Sequence, residues 1–210
     1  MIIKKALLAI LFAFSTLALA AQGGIKVNCQ GDRPTISDFA WAYLSSFEPA
    51  EEDDEEEWLI NESTDAVRQA WIRHREGKAL DAGETLTIDQ KNGFVLYEMK
   101  DGENLLRIEM CYWNESDGKH KLFAIGVYGL QDGRYNPGQY DGLTFFRYDN
   151  ATKTMTRCDD TGFEVAYSEN GAWVSYDLPR TGKNITVNHW YDDGRKTQKT
   201  LKFDGRRFNF

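Results

Sequence analysis

Aromatic side chains are the residues of this chain whose types and positions best suit ligand recognition. The sequence contains 6 Trp and 10 Tyr. Around Trp190, two-residue alternation predicts that its ring shares a strand face with Asn188 and Thr186. An aromatic ring among polar neighbours on a sheet face can stack on a sugar or a peptide, although packing in the core is the alternative for each ring. The candidate ligand-binding residues are Trp190, Trp173, Trp113, Tyr135 and Tyr140.

Catalytic residues have less support than binding residues. The chain has no G-x-S-x-G motif, and no local arrangement of Cys and His resembles an activated nucleophile. Among 33 acidic residues, carboxylate pairs at the ~5–10 Å that glycoside hydrolysis needs arise by chance. We therefore assign no catalytic residue and favour binding over catalysis.

A weak calcium motif surrounds Gly162. Asp159, Asp160 and Glu164 place three carboxylates near this glycine, but their spacing does not match the EF-hand pattern. Turn-forming aspartates explain the segment more simply than a calcium site does. The sequence predicts neither a metal nor a cofactor.

Three cysteines, Cys29, Cys111 and Cys158, form an odd set. Cys111 and Cys158 both fall in predicted strands, so a disulfide between them is one interpretation and three free thiols is the other. The chain has no C-x-x-C motif that would indicate a redox or zinc site.

The first 20 residues resemble a secretory signal peptide. Lys4 and Lys5 precede the apolar run 6–14, and Ala18 and Ala20 provide a cleavage pattern. Cleavage would leave 190 of the 210 residues as one secreted domain and move the formal charge from −8 to −10, because two lysines are removed. We expect a periplasmic or secreted protein with no membrane anchor after cleavage. Nucleic acid is an unfavourable partner for so acidic a chain.

Two helices are predicted between residues 34 and 77. Thr35 and Asp38 form a capping-box pattern before an apolar helical stripe that ends by Pro49. After the acidic run 51–57, predicted to be a solvated loop or a frayed helix, Ser63 is placed at the start of a second helix that ends at Arg75.

From residue 85 onward, apolar residues alternate and turn signals recur. Eight Asn-Gly or Asp-Gly pairs separate short aromatic and β-branched runs, a pattern typical of consecutive hairpins. The segment 122–127 is apolar on both faces, so its strand should be central and covered on both sides, whereas Arg107 and Glu109 are predicted to face outward. The fold class predicted is α+β, with two N-terminal helices packed on one antiparallel meander of eight or nine strands (85–210), open or barrel-like.

The segments 142–153 and 201–208 resemble secreted proteins of unknown function from Bacteroides-like bacteria. This resemblance covers turns and strands in a minor part of the chain. It implies an envelope location in a Gram-negative host and transfers no catalytic residue.

The leading functional prediction is a non-enzymatic binding protein for a glycan, a peptide or an envelope protein. The ligand would be bound by an aromatic-bearing sheet face or by the polar, Gly-rich loop 131–140. The alternative is a secreted hydrolase that acts on polysaccharide. A third interpretation is an assembly subunit whose exposed strand edges pair with a partner.

Overall fold

The computed structural model describes residues 24–29, 31–46, 55–137 and 141–210 of the chain. The described chain is mostly β-strand, with two helices and curled antiparallel sheets. The predicted signal segment 1–20 lies outside the described residues.

The first sheet has eight strands in the order β1-β8-β7-β5-β4-β3-β2, with β6 paired to β5 at one end. All of its neighbouring strands are antiparallel. Its strands are β1 (Ile25–Lys26), β2 (Glu84–Asp89), β3 (Phe94–Asp101), β4 (Asn104–Asn114), β5 (His120–Gln131), β6 (Arg134–Tyr135), β7 (Gly142–Asp149) and β8 (Thr154–Arg157).

The second sheet has five antiparallel strands in the order β13-β12-β11-β10-β9. Its strands are β9 (Ser168–Glu169), β10 (Ala172–Asp177), β11 (Ile185–Trp190), β12 (Lys196–Phe203) and β13 (Phe208–Asn209). One face of this sheet packs on the first sheet. We call the other face its outer face.

The helices are α1 (Ile36–Leu44) and α2 (Glu55–Arg75). As predicted, Thr35 caps α1: its hydroxyl accepts from the Asp38 backbone N–H, and the Asp38 side chain accepts from the Thr35 backbone. Phe39 of α1 then packs edge-on against Tyr148, with ring centroids 5.1 Å apart, on the first sheet. In contrast to the prediction of a start at Ser63, α2 begins at Glu55, inside the acidic run.

Two hydrophobic cores lie on opposite faces of the first sheet. One contains Val95, Met110 and Phe123 together with residues of both helices. The other contains Cys111 and Leu122 with residues of the second sheet. Burial on both faces explains the continuous apolar sequence of β5, and the prediction that this strand is central and doubly covered is confirmed.

The prediction of a single meander preceded by helices is wrong in two respects. Consecutive strands do pair within β2–β6, between β7 and β8 and within β9–β13, but the chain leaves the first sheet after β8 and builds a second one. In addition, β1 precedes the helices and pairs with β8. Local turn chemistry specifies hairpins, whereas the place where a long meander divides depends on which faces pack together.

Seven of the eight Asn-Gly and Asp-Gly glycines adopt positive φ. At Asp132-Gly133 and Asn170-Gly171 both residues do so, as a type I′ turn requires. Asp141-Gly142 differs because Gly142 begins β7 rather than a turn.

Across the described residues, neither helix combines the length and the apolar character needed to cross a bilayer.

Candidate functional site

The outer face of the second sheet carries an aromatic row. Trp173 lies directly opposite Trp190, which in turn lies opposite Lys196. The Lys196 ammonium is 4.0 Å from the centroid of the Trp190 ring, a cation-π distance. Trp173 is 44% exposed, which is unusual for so large an apolar side chain. We define the aromatic face as Trp173, Ser175, Asn188, Trp190, Lys196 and Gln198. Ser175 and Asn188 are buried within it, so a ligand could reach only the other four side chains.

Hydrogen bonds hold the polar side chains of the aromatic face in a ladder. Gln198 Nε2 donates to Asn188 Oδ1 at 2.8 Å, and Asn188 Nδ2 donates to Asp177 Oδ2 at 3.0 Å. Trp190 Nε1 donates to Ser175 Oγ at 2.9 Å. Because each group is held by a neighbouring strand, the Trp190 ring is fixed in place before any ligand arrives.

The end of the first sheet closes one side of the aromatic face. The Tyr128 hydroxyl donates to Asp177 Oδ1 at 2.8 Å. The Tyr135 ring lies between those of Tyr128 and Trp190, at centroid distances of 6.4 and 6.2 Å. Tyr135 is buried, and this burial, together with the nearby Asp141 carboxylate, raises the pKa of its hydroxyl. The buried Tyr135 ring therefore packs against the Trp190 ring and helps to hold it in place.

A buried carboxylate lies where the two sheets meet. Glu109 is 2% exposed, its Oε2 accepts a 2.6 Å hydrogen bond from the Leu178 backbone N–H, and its Oε1 is 3.0 Å from Arg107 Nε. Burial raises the pKa of Glu109 to about 7, although Arg107 and the Leu178 N–H both oppose the increase. The prediction that Glu109 faces outward is wrong, because the second sheet covers that face of β4.

A narrow cleft runs beside the aromatic face between Tyr135, Tyr167, Ser175 and Tyr176. Its volume of about 10 Å³ matches roughly one water molecule. This cleft is therefore too small to hold a sugar or a peptide.

Two of the candidate binding residues, Trp113 and Tyr135, are buried and do not belong to the aromatic face. Trp113 is 4% exposed, donates from Nε1 to the Lys183 carbonyl at 2.9 Å, and packs against Phe203 and Phe208 in the core between the sheets. Tyr140 lies outside the described residues.

Two of the three calcium candidates, Asp159 and Asp160, have arginine partners. Asp160 accepts from Arg207 Nη2 at 2.6 and 2.8 Å, and this hydrogen bond lowers the pKa of the aspartate. Asp159 is 3.4 Å from Arg157 Nε, and Glu164 is exposed. A shared cation would have to displace guanidinium groups from Asp159 and Asp160.

A different group has metal-ligand geometry in the described part of the chain. Glu115, Asp117 and His120 each bring one ligand atom to within 4.8 Å of the others, around the β4–β5 turn. His120 Nδ1 lies 2.5 Å from Asp117 Oδ2, and this contact is the main cause that lowers the pKa of Asp117 to about 2. Arg147 Nε donates to Glu115 at 2.8 Å, so a cationic partner already occupies this carboxylate.

All three cysteines are free thiols, so the structure does not form a Cys111–Cys158 disulfide. Cys111 lies opposite Ala124, Ala124 opposite Phe145, and the Cys158 N–H bonds to Phe145. The two cysteines are therefore three strand spacings apart, ~14 Å at ~4.8 Å per strand. A disulfide requires Cα atoms within ~7 Å.

Sequence reasoning identified Trp173 and Trp190 but missed Ser175, Gln198 and Lys196. The available signal was the turn at residues 191–195, which pairs Trp190 with Lys196 and so places Lys196 and Gln198 on the Trp190 face. Glu109 gave no such signal, because its burial depends on a sheet far away in sequence.

The chain was compared with family models, curated proteins and solved structures, and none of them matches it. The features of this protein that bear on its function are therefore its β-rich scaffold and the aromatic face that this scaffold holds in place.

Proposed function

We propose that this protein is a non-enzymatic binding protein of the periplasm or the extracellular space, and that its aromatic face binds a carbohydrate. The observation that carries the proposal is the exposed Trp173 beside Trp190 on a rigid sheet. Peptides and partner proteins are the other ligand classes that suit such a face.

The chemistry of the aromatic face supports a sugar ligand. An indole ring offers an apolar surface on which the C–H face of a pyranose can stack. Lys196 and Gln198 stand in the adjacent strand and are both exposed, so they can meet the hydroxyl groups at the edge of a stacked sugar. Because hydrogen bonds already order Gln198 and Trp190, contact with these two side chains costs a sugar ligand less conformational entropy.

The first experiment is a glycan array probed with the labelled mature protein, followed by titration of each hit using intrinsic tryptophan fluorescence. Trp173→Ala should weaken binding of a hit by about tenfold or more, equivalent to ~1.4 kcal/mol. Trp41→Ala is the matched control, because Trp41 belongs to α1 on the other side of the first sheet, beneath Arg75. Equal binding by wild type and Trp173→Ala would contradict the proposal. Hits among peptides instead of glycans would change the ligand class.

A polysaccharide hydrolase is the second candidate, and Glu109 is the observation that favours it. A carboxyl group with a pKa near 7 can act as a general acid, and Asp177 lies close enough to raise that pKa further. However, both oxygens of Glu109 have protein partners and the side chain is 2% exposed. Release of reducing sugar from a polysaccharide panel by wild type, lost in Glu109→Gln, would favour the hydrolase over the binding protein.

A further inference from the structure

Strand β12 has a free edge along most of its length. Strand β11 pairs with it from Lys196 to Leu201, but on the other side β13 pairs with Lys202 and Phe203, the end of the strand. The five residues from Lys196 to Thr200 are all exposed. In the described chain this edge therefore leaves a run of backbone groups open to a further strand.

The flanking turns show which backbone groups point toward the free edge. Backbone groups alternate between the two sides of an antiparallel strand, residue by residue. The Asp204 N–H donates to Arg207 on the β13 side, and the Arg195 carbonyl accepts from Tyr191 on the β11 side. The backbone groups of the even-numbered residues therefore point toward the free edge. The N–H and C=O groups at Lys196, Gln198 and Thr200 are available to a partner strand.

The charge of this edge is opposite to that of the whole protein. The chain has a formal charge of −8, yet its last sixteen residues contain six Lys or Arg and one Asp. Lys196 and Lys202 have no carboxylate partner among the described residues. The Lys199 ammonium lies 3.5 Å from the Glu169 carboxylate, and it also lies near the Phe210 ring, which is 70% exposed.

We propose that the β12 edge binds an extended acidic segment of a partner protein, which adds to the second sheet as a strand in line with β13. Backbone hydrogen bonds to Lys196, Gln198 and Thr200 supply the pairing. Lys196 and Lys202, whose side chains share one face of the sheet, supply the selectivity for acidic side chains on that face of the partner strand. Phe210, beside Lys199 on the opposite face, offers an apolar contact. The inference concerns the strand edge and does not rest on carbohydrate binding by the aromatic face.

A second copy of this chain is a poor occupant of the same edge. Pairing two β12 strands would bring three lysines from each copy onto one pair of strands, and like charges on neighbouring strands destabilise pairing. Lysines at a free edge therefore disfavour self-association while they favour an acidic partner.

The test uses three labelled ten-residue peptides and the mature protein at low salt, with binding measured by fluorescence anisotropy. One peptide alternates Glu and Val, a second alternates Glu and Pro, and a third alternates Thr and Val. The Glu–Val peptide should bind at least tenfold more tightly than either of the others. The Pro peptide keeps the charge but cannot form a strand ladder, and the Thr peptide keeps the strand propensity without the charge.

Two protein variants locate the site. Lys196→Gln combined with Lys202→Gln, which removes the two lysines on one face of β12, should weaken Glu–Val binding at least fivefold. Lys91→Gln combined with Lys119→Gln, at exposed turns of the first sheet, should not. Thr200→Pro removes an edge-facing N–H where proline is tolerated, and should also weaken binding, whereas Thr200→Val should not. Thermal melts establish that each variant is folded.

Amide hydrogen exchange provides a readout that does not depend on the variants. Bound Glu–Val peptide should slow exchange at Gln198 and Thr200 more than at Thr197 and Lys199, whose N–H groups already face β11. Equal binding of the Glu–Pro peptide, unchanged binding by Thr200→Pro, or protection away from β12 would each overturn the proposal. A dimer that protects the same β12 amides without peptide would also overturn it, in favour of a second copy.

Discussion

The carboxylate of Glu109 in β4 accepts a 2.6 Å hydrogen bond from the backbone N–H of Leu178, just after β10. This contact joins the two sheets at the point where the edge of the second meets the face of the first. It also satisfies a backbone donor that would otherwise be buried without a partner.

The free energy of unfolding should fall as pH rises toward neutrality, because Glu109 then loses its proton. The pKa of this group is about 7 in the folded protein and 4.5 as the reference for the unfolded chain. Because the pKa is higher in the folded state than in the unfolded chain, the protonated Glu109 contributes its full stabilisation of the fold below the unfolded-state pKa. This contribution is lost as pH rises through about 7. The loss is up to about 3 kcal/mol. Urea unfolding between pH 4.5 and 8 measures it.

Glu109→Gln should flatten that pH dependence, because the amide keeps the shape and can still accept from Leu178 without titrating. Glu98→Gln is the matched control: Glu98 lies 3.7 Å from the same Arg107 but is partly exposed, so the slope should persist. A wild-type slope retained in Glu109→Gln would show that another group is responsible.

Trp113→Ala should lower the free energy of unfolding much more than Trp173→Ala, because Trp113 is buried and Trp173 is exposed. Removing the buried Trp113 ring leaves a cavity among Phe145, Phe203 and Phe208 and should lower the free energy of unfolding by about 3–5 kcal/mol. Removing the exposed Trp173 should cost less than about 1 kcal/mol. Chemical denaturation of both variants tests this ordering, and a larger loss from Trp173→Ala would contradict the assignment of the two rings.

Thr35→Ala should destabilise the protein by about 1 kcal/mol, because α1 loses its N-cap. Thr35→Ser keeps the hydroxyl and should retain most of the stability. The measurement is the denaturation midpoint of each variant at constant pH. Equal midpoints for the Ala and Ser variants would mean that the cap contributes nothing measurable.

Thiol titration should find three reactive cysteines per chain in denaturant without a reductant. In the native protein Cys111 should be the slowest to react, since full burial raises its pKa well above the ordinary value and blocks the reagent. One reactive thiol in denaturant would reveal a disulfide and contradict the structure.

The sequence by itself determined the local elements of this protein. The capping box at Thr35, the two-residue alternation and the Asn-Gly or Asp-Gly turns predicted α1 and the series of hairpin strands from residue 85 onward. Caps, alternation and turns could be predicted because they depend on residues that are neighbours in the chain. The double apolar pattern of β5 also predicted its central position. Trp190 could be placed with Asn188 and Thr186 for the same reason.

Only the tertiary structure decided how these elements meet. Alternation places Glu109 and Trp113 on a face of the first sheet, but it does not reveal that a second sheet covers that face. It is this covering that buries Trp113, raises the pKa of Glu109 and leaves Trp173 at the surface. Likewise, the distance between Cys111 and Cys158 depends on the two strands between them. These outcomes follow from packing between segments far apart in sequence, and no local pattern encodes that packing.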